Sequence, residues 1–134
     1  MRVFLDTNVL ISAALNPDGS PFSAYIKATS YPNHAIICEQ NIEELIRIFK
    51  KKFPNKLFAL ERFLEIALST FEVVSVPLEE NTAEKQIRDK ADRTLFRAAF
   101  AAGADIIVTG DKDLLESGIT NPLIMSPAEF VRLN

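Results

Sequence analysis

Four acidic residues far apart in the chain, Asp6, Glu44, Asp92 and Asp111, are the side chains best suited to do chemistry. Asp6 follows the apolar run Val3-Phe4-Leu5, and Asp111 follows Ile106-Ile107-Val108 after Thr109-Gly110. Glu44 falls in the first turns of an amphipathic segment behind Ala35-Ile36-Ile37-Cys38, and Asp92 opens a segment that leads toward the Ile106 run. Taken singly, Asp6, Asp92 and Asp111 are explained as helix caps contributing about 1 kcal/mol each, and Glu44 as an exposed helix residue. Taken together, the four fall on one edge of the sheet that these runs imply. Carboxylates gathered in one place raise one another's pKa unless cations neutralise them. Mg²⁺ or Mn²⁺ resolves that conflict, because hard cations take oxygen ligands and pair carboxylates with phosphate oxygens. The chemistry expected is therefore that of phosphate esters, with one or two ions. Thr7, Asn8 and Thr109 add short polar groups beside the acids, and Asp113 offers a fifth carboxylate in a secondary role, with capping a strong competitor for each.

The scarcity of other reactive residues narrows the field. Cys38 is the only cysteine and His34 the only histidine. An internal disulfide and a Cys/His zinc site are excluded, and a histidine-based triad would have to rest on His34, which follows Tyr31-Pro32-Asn33 and reads as a surface-loop residue.

The elements that must position the acids follow from hydrophobic periodicity. Val3–Leu5, Ala35–Cys38, Val73–Val76, Ile106–Val108 and Leu123–Met125 are short apolar runs that read as strands, and their continuous rather than alternating character suits a parallel sheet covered on both faces. Between them, Val9, Leu10, Ala13 and Ala14 recur at helical spacing until the breaker Asn16-Pro17-Asp18-Gly19, and Phe22 and Ile26 suggest a further helix up to Tyr31-Pro32. Ile42, Leu45, Ile46 and Phe49 form an amphipathic stripe ending before Pro54, and Leu57 to Leu68 forms another. From Asp92 onward, Leu95, Phe96, Ala98, Ala99 and Ala102 mark a helix that Gly103 can close in the left-handed conformation. Ser126-Pro127-Ala128-Glu129 opens a last helix with a capping box. Alternating strands and helices predict a three-layer α/β/α fold with a central parallel sheet of about five strands. In such sheets ligands bind at the carboxyl ends of the strands, where the acids fall.

At 134 residues, with 48% hydrophobic and 25% charged residues, the expectation is one globular domain over 1–134. No apolar run approaches the roughly 20 residues of a membrane span, and the first residues resemble no export signal, so a cytoplasmic location is expected. The net charge of −3 argues mildly against nucleic acid, but the charge is unevenly distributed. Arg47, Lys50–Lys52 and Lys56 form one basic cluster, and Arg88, Lys90, Arg93 and Arg97 another. Either alone reads as a solvated helix face.

Several motifs together resemble a known family. They are Leu5-Asp6-Thr7-Asn8-Val9-Leu10-Ile11-Ser12-Ala13, the Glu44-Leu45 helix ending in Lys50-Lys51-Lys52-Phe53, Asp89-Lys90-Ala91-Asp92, and Ala102-Gly103-Ala104-Asp105 leading to Val108-Thr109-Gly110-Asp111-Lys112-Asp113-Leu114-Leu115. In order and spacing they resemble the PIN-domain nucleases, in particular the VapC-like toxins of toxin–antitoxin systems, across almost the whole chain. The resemblance implies Mg²⁺- or Mn²⁺-dependent endoribonuclease activity, frequent homodimerisation and a small antitoxin partner that blocks the site. It matches Asp6, Glu44, Asp92 and Asp111 to the family's acidic, metal-binding positions, and Thr7, Asn8, Thr109 and Asp113 to supporting ones. Glu43 directly precedes Glu44, which leaves the second acid the least defined. The chain departs from the family where Arg93 follows the third acid, a place often held by asparagine. That arginine would grip the RNA backbone or alter the surroundings of the metal.

Two other functions fit parts of the pattern. A haloacid-dehalogenase-type phosphatase would use Asp6 as nucleophile and Gly110-Asp111 for Mg²⁺, but has Asn8 where a second aspartate is normal. A non-catalytic PIN-like module binding RNA or protein would not need all four acids, and a receiver-type domain lacks an acid after Val73–Val76.

Overall fold

A computed structural model describes residues 1–133. Five strands, β1 (Arg2–Leu5), β2 (His34–Cys38), β3 (Glu72–Val74), β4 (Ile106–Val108) and β5 (Leu123–Met125), form one sheet in the order β3-β2-β1-β4-β5, every pair parallel. The chain steps outward from β1 through β2 to β3, then returns to the other side of β1 to place β4 and β5. The carboxyl ends of β1 and β4 thus flank the point where the winding reverses, the crevice that open α/β sheets use for ligands.

Pleating assigns alternate side chains to the two faces. Val3, Leu5, Ala35, Ile37, Ile106 and Val108 enter one core, against α1 (Thr7–Leu15), α2 (Ser20–Thr29), α3 (Glu39–Lys52), α4 (Leu57–Ala67) and Phe130 of α7 (Pro127–Arg132). Phe4, Ile36, Cys38 and Ile107 enter the other, against Leu95, Phe96, Ala98 and Ala99 of α5 (Lys90–Ala101) and Leu114 of α6 (Lys112–Leu115). Three layers result, with the central strands buried on both sides as their unbroken apolar runs required.

The structure departs from the sequence reading at several places. β3 stops at Val74 rather than Val76, because its neighbour β2 ends at Cys38, which pairs with Val74, and no ladder remains for Ser75 and Val76. α5 starts before Asp92: Asp89 is its N-cap, accepting from the Ala91 amide at 2.9 Å, so Asp92 lies inside the first turn and the capping account does not apply to it. His34 is not in a loop but heads β2, where its Nε2 lies 2.9 Å from Glu72. Glu72 also receives a two-pronged contact from Arg2, at 3.2 and 2.8 Å. Of the second basic cluster, Arg97 is no free surface charge, being drawn onto the buried Glu84 at 2.8 Å. Two short 3-10 turns, Pro54–Lys56 and Thr82–Gln86, and the single-turn α6 carry too little apolar periodicity to be read from sequence. Gly103 closes α5 as expected, at φ +70°, and the Ser126–Glu129 capping box opens α7. Among the described residues no helix is long and apolar enough to cross a membrane.

Candidate active site

The site is built where three adjacent strands release the chain. Asp6 leaves β1 and caps α1, and its backbone amide still bonds to the Val108 carbonyl at 3.0 Å, tying it to β4. Its carboxylate is held by three hydrogen bonds. Oδ1 accepts the Thr7 amide at 2.7 Å, and Oδ2 accepts the Thr109 hydroxyl at 2.7 Å and the Asn8 side-chain amide at 3.2 Å. Thr109, fully buried, accepts in turn from the Asp111 amide at 3.0 Å. One hydroxyl therefore sets the relation between the two aspartates. Asn8 works in parallel: its side-chain oxygen accepts the Gly110 amide at 3.2 Å, which pins the loop after β4 to the start of α1.

A third tie comes from Asn41, a residue the sequence reading passed over. It is fully buried, its Nδ2 donates to Thr7 Oγ1 at 2.8 Å, and its Oδ1 accepts the Cys38 amide at 2.8 Å. The start of α3 is thereby fixed against the start of α1. An asparagine at the third helical position after a strand is the only signal the sequence carried for it. Further along α3, Glu44 is partly buried while Glu43 is exposed and lines an outer groove with Ile46, Arg47, Lys50 and Lys51. Of these two, it is Glu44 whose negative charge acts on Asp6.

Asp92 completes the set from the first turn of α5. It is 7% exposed, its Oδ2 has no hydrogen-bond partner among the described residues, and its carboxyl lies against that of Asp111. It also belongs to a second grouping. One oxygen each from Asp89, Asp92 and Asp113 lie within 4.8 Å of one another. Asp113 donates its amide to Asp111 Oδ1 at 2.8 Å and takes a contact from Arg88 at 3.0 Å. Asp92 is thus the link between the pair Asp6 and Asp111 and the pair Asp89 and Asp113. Asp89 was not singled out from sequence, although its spacing of three before Asp92 places both on one turn of helix.

The electrostatics follow from burial and crowding. Burial pushes the Asp6 carboxyl up to about 6, against the lowering effect of Thr109 and Thr7, and Glu44 and Asp111 push it further the same way. Asp92 is pushed up to about 8, by burial first and then by Asp111, with Asp6 and Asp89 adding. Two acids raised in this way, with a buried oxygen left unpartnered, favour a cation at the site. The donor set of carboxylates, hydroxyls and an amide suits a hard divalent ion such as Mg²⁺ or Mn²⁺.

Of the remaining residues expected to take part, Arg93 turns its Nε to the Ile87 carbonyl at 2.7 Å, and its charge acts on Glu84. Lys50, Lys51 and Lys52 are exposed at the far end of α3.

Comparison with known proteins agrees with this fold. The PIN-domain profile matches residues 2–113. A protein of Methanocaldococcus jannaschii, MJ1680, itself uncharacterised, is 35% identical over 120 residues, spanning 86% of this chain and 74% of that protein. Among solved structures, VapBC2 from Rickettsia felis, bound to a DNA fragment from its promoter, superposes with a TM-score of 0.69 over 93% of this chain and 97% of that one, at 19% identity. PAE2754 from Pyrobaculum aerophilum superposes with a TM-score of 0.59 over 98% of this chain and 93% of that one, at 18% identity. Both share the fold.

Proposed function

The chain belongs to the PIN-domain family, whose members are in general nucleases, and from this premise we propose that it is a divalent-metal-dependent endoribonuclease acting as the toxin of a toxin–antitoxin pair. The reading is supported above all by Asp92, a buried carboxyl without a partner for Oδ2 and pressed against Asp111 at the strand ends. Such an arrangement is costly for folding alone and useful for holding a cation.

In this reading Asp6, Glu44, Asp92 and Asp111 hold one or two Mg²⁺ or Mn²⁺ ions, with Asp113 in support. A bound ion supplies the acidity that activates an attacking water and offsets charge on the phosphate during in-line hydrolysis. The protein's own part is to keep the acids in place. Thr7, Asn8 and Thr109 occupy three lone-pair directions of Asp6, so its carboxylate cannot rotate away from the substrate side. Basic residues hold the RNA on either side. Glu44, Arg47 and Lys51 fall on one stripe of α3, at i, i+3 and i+7, and span about 10 Å of helix from the acids outward. Phosphates flanking the cut lie along that stripe. Arg93, with its Nε committed to Ile87, is assigned to the RNA backbone rather than to the ions.

A small antitoxin and a second copy of the chain are the partners this reading carries. It is supported by the R. felis neighbour, a VapBC2 pair, and by Phe58 and Ile66 of α4, which stand 71% and 62% exposed on one helix.

The test is cleavage of a mixed RNA substrate with Mg²⁺ or Mn²⁺ and with EDTA, comparing the wild type with Asp6→Ala and Asp111→Ala. Metal-dependent cutting that both variants lose is the expected result. Full activity in Asp6→Ala, or cutting that survives EDTA, would overturn the assignment.

A further inference from the structure

The carboxylates account for cleavage of a phosphodiester but not for which base stands beside it. A small pocket of about 190 Å³ opens next to them, lined by Asn8, Val9, Ser12, Pro21, Gly110 and Pro127. Its composition is unlike that of the acidic crevice. Val9, Pro21 and Pro127 supply flat or branched apolar walls, Asn8 and Ser12 supply hydrogen-bonding groups, and none of the six residues is charged. A second depression of about 340 Å³ shares Ser12 and Pro21 with it and continues toward Leu15 and Asn16.

The geometry points to a nucleobase subsite: the pocket receives the base of the nucleotide adjoining the scissile phosphate, with Asn8 and Ser12 as the residues that discriminate between bases. The identity of this ligand rests on the nuclease reading. The position of the pocket rests on the fold alone, because Asn8 belongs to both places. Its side-chain nitrogen donates to Asp6 Oδ2 at 3.2 Å, and its oxygen accepts the Gly110 amide at 3.2 Å. A phosphate at the acids therefore has its neighbouring sugar and base within one side chain of the pocket wall.

The chemistry of the lining selects this occupant over a phosphate or a cation. An uncharged pocket has no attraction for a phosphate, and its few oxygens do not balance a metal ion. A planar heterocycle buries two apolar faces and presents donors and acceptors on its edge, which the proline and valine walls and the two polar side chains match. The pocket is smaller than those that take whole drug-sized ligands, roughly 300–1,000 Å³, and is scaled to a single ring system. Gly110 stands on the rim shared by pocket and acids, where a Cβ would lie 3.7 Å from the Asn8 side-chain oxygen, an ordinary contact.

The experiment compares binding of the four nucleoside monophosphates with binding of ribose 5-phosphate, by NMR titration of the full chain in Mg²⁺. Wild type and two variants are used, Ser12→Phe to fill the pocket and Ser12→Ala to remove the hydroxyl. Ser12 is exposed on α1, so both variants are compatible with the fold, which their urea midpoints verify. At least one nucleotide is expected to bind about tenfold tighter than ribose 5-phosphate, a difference of about 1.4 kcal/mol, and to shift the Asn8 side-chain amide and the Gly110 amide. Ser12→Phe is expected to bring that nucleotide back to the ribose 5-phosphate level without changing ribose 5-phosphate itself, and Ser12→Ala to narrow the spread among the four bases. Equal affinities for all five ligands, or a folded Ser12→Phe that binds nucleotides as before, would overturn the subsite. Cleavage assays separate the two readings: RNA cut without base preference, and unaltered by Ser12→Phe, leaves the nuclease standing and removes the subsite. Base-selective binding by a protein that never cuts RNA does the reverse.

Discussion

Replacing Asp92 by asparagine is expected to stabilise the metal-free protein while weakening its hold on divalent cations. The folded chain raises this carboxyl from 3.8 to about 8, by burial and by the neighbouring Asp111, Asp6 and Asp89. At pH 7 it is therefore protonated in the folded state and ionised in the unfolded state. Roughly three pKa units then count against folding, or about 4 kcal/mol at 1.36 kcal/mol per unit. Part of that penalty belongs to Asp111, which shares the charge, and part is retained by the buried amide. A net gain of about 1–2 kcal/mol is what remains to be measured. The amide also keeps a donor toward the Asp111 carboxylate at every pH, where the wild type has one only while Asp92 is protonated. Urea unfolding in EDTA is the assay. Because the folded pKa is raised, the folded state binds more protons than the unfolded state between about pH 4 and 8. Wild-type stability falls across that window as pH rises, and this slope is largely absent from Asp92→Asn. Added Mg²⁺ reverses the order, since a ligand present at a hundred times its Kd stabilises by about 2.7 kcal/mol and the variant has lost an anionic ligand. If Asp92→Asn proves less stable than wild type in EDTA at pH 7, the crowding of carboxylates on which the cation argument rests is wrong.

Other perturbations probe the supports of the site. Asn41→Ala leaves the Cys38 amide and the Thr7 hydroxyl without their buried partner and is expected to lower unfolding free energy by about 1–3 kcal/mol and to reduce RNA cleavage by loosening Thr7; an unchanged urea midpoint would refute the first part. Thr109→Val keeps the shape of the side chain but removes the bond to Asp6 and the acceptor for the Asp111 amide, so cleavage should drop at least about tenfold with the fold kept, as read by activity and circular dichroism together. Arg97 holds the Glu84 carboxyl below its ordinary value, so the pair stabilises the fold above that ordinary value and loses its effect as pH falls through the lowered one. Acid unfolding of Glu84→Gln should lack this component. Gly103→Ala forces a side chain into φ +70° and should cost about 1 kcal/mol in thermal or urea unfolding without altering the catalytic groups.

The sequence by itself determined the architecture and singled out the four acids as candidates. Apolar runs such as Val3–Leu5 and Ile106–Val108 are buried on both faces, which makes them legible as strands without any partner in view. Asp6, Glu44, Asp92 and Asp111 could be picked out because each follows or begins such an element, and helix stops such as Gly103 carry local chemistry that acts within a few residues. What only the tertiary structure decided depends on contacts between segments distant in the chain. The end of β3 at Val74 is set by where β2 runs out of partners, not by the valines themselves. Asp89 took the cap that Asp92 was expected to supply, because a helix cap is chosen by backbone geometry and any of several nearby polar residues can fill it. Asn41 and Thr109 look ordinary in sequence, yet their hydrogen bonds bridge 34 and 103 residues to reach Thr7 and Asp6. Arg93 and Arg97 read as surface charge until the turn carrying Glu84 and Ile87 folded against them. Periodicity reports which face of an element is buried, but it carries no information about what the opposite wall of the burial is made of.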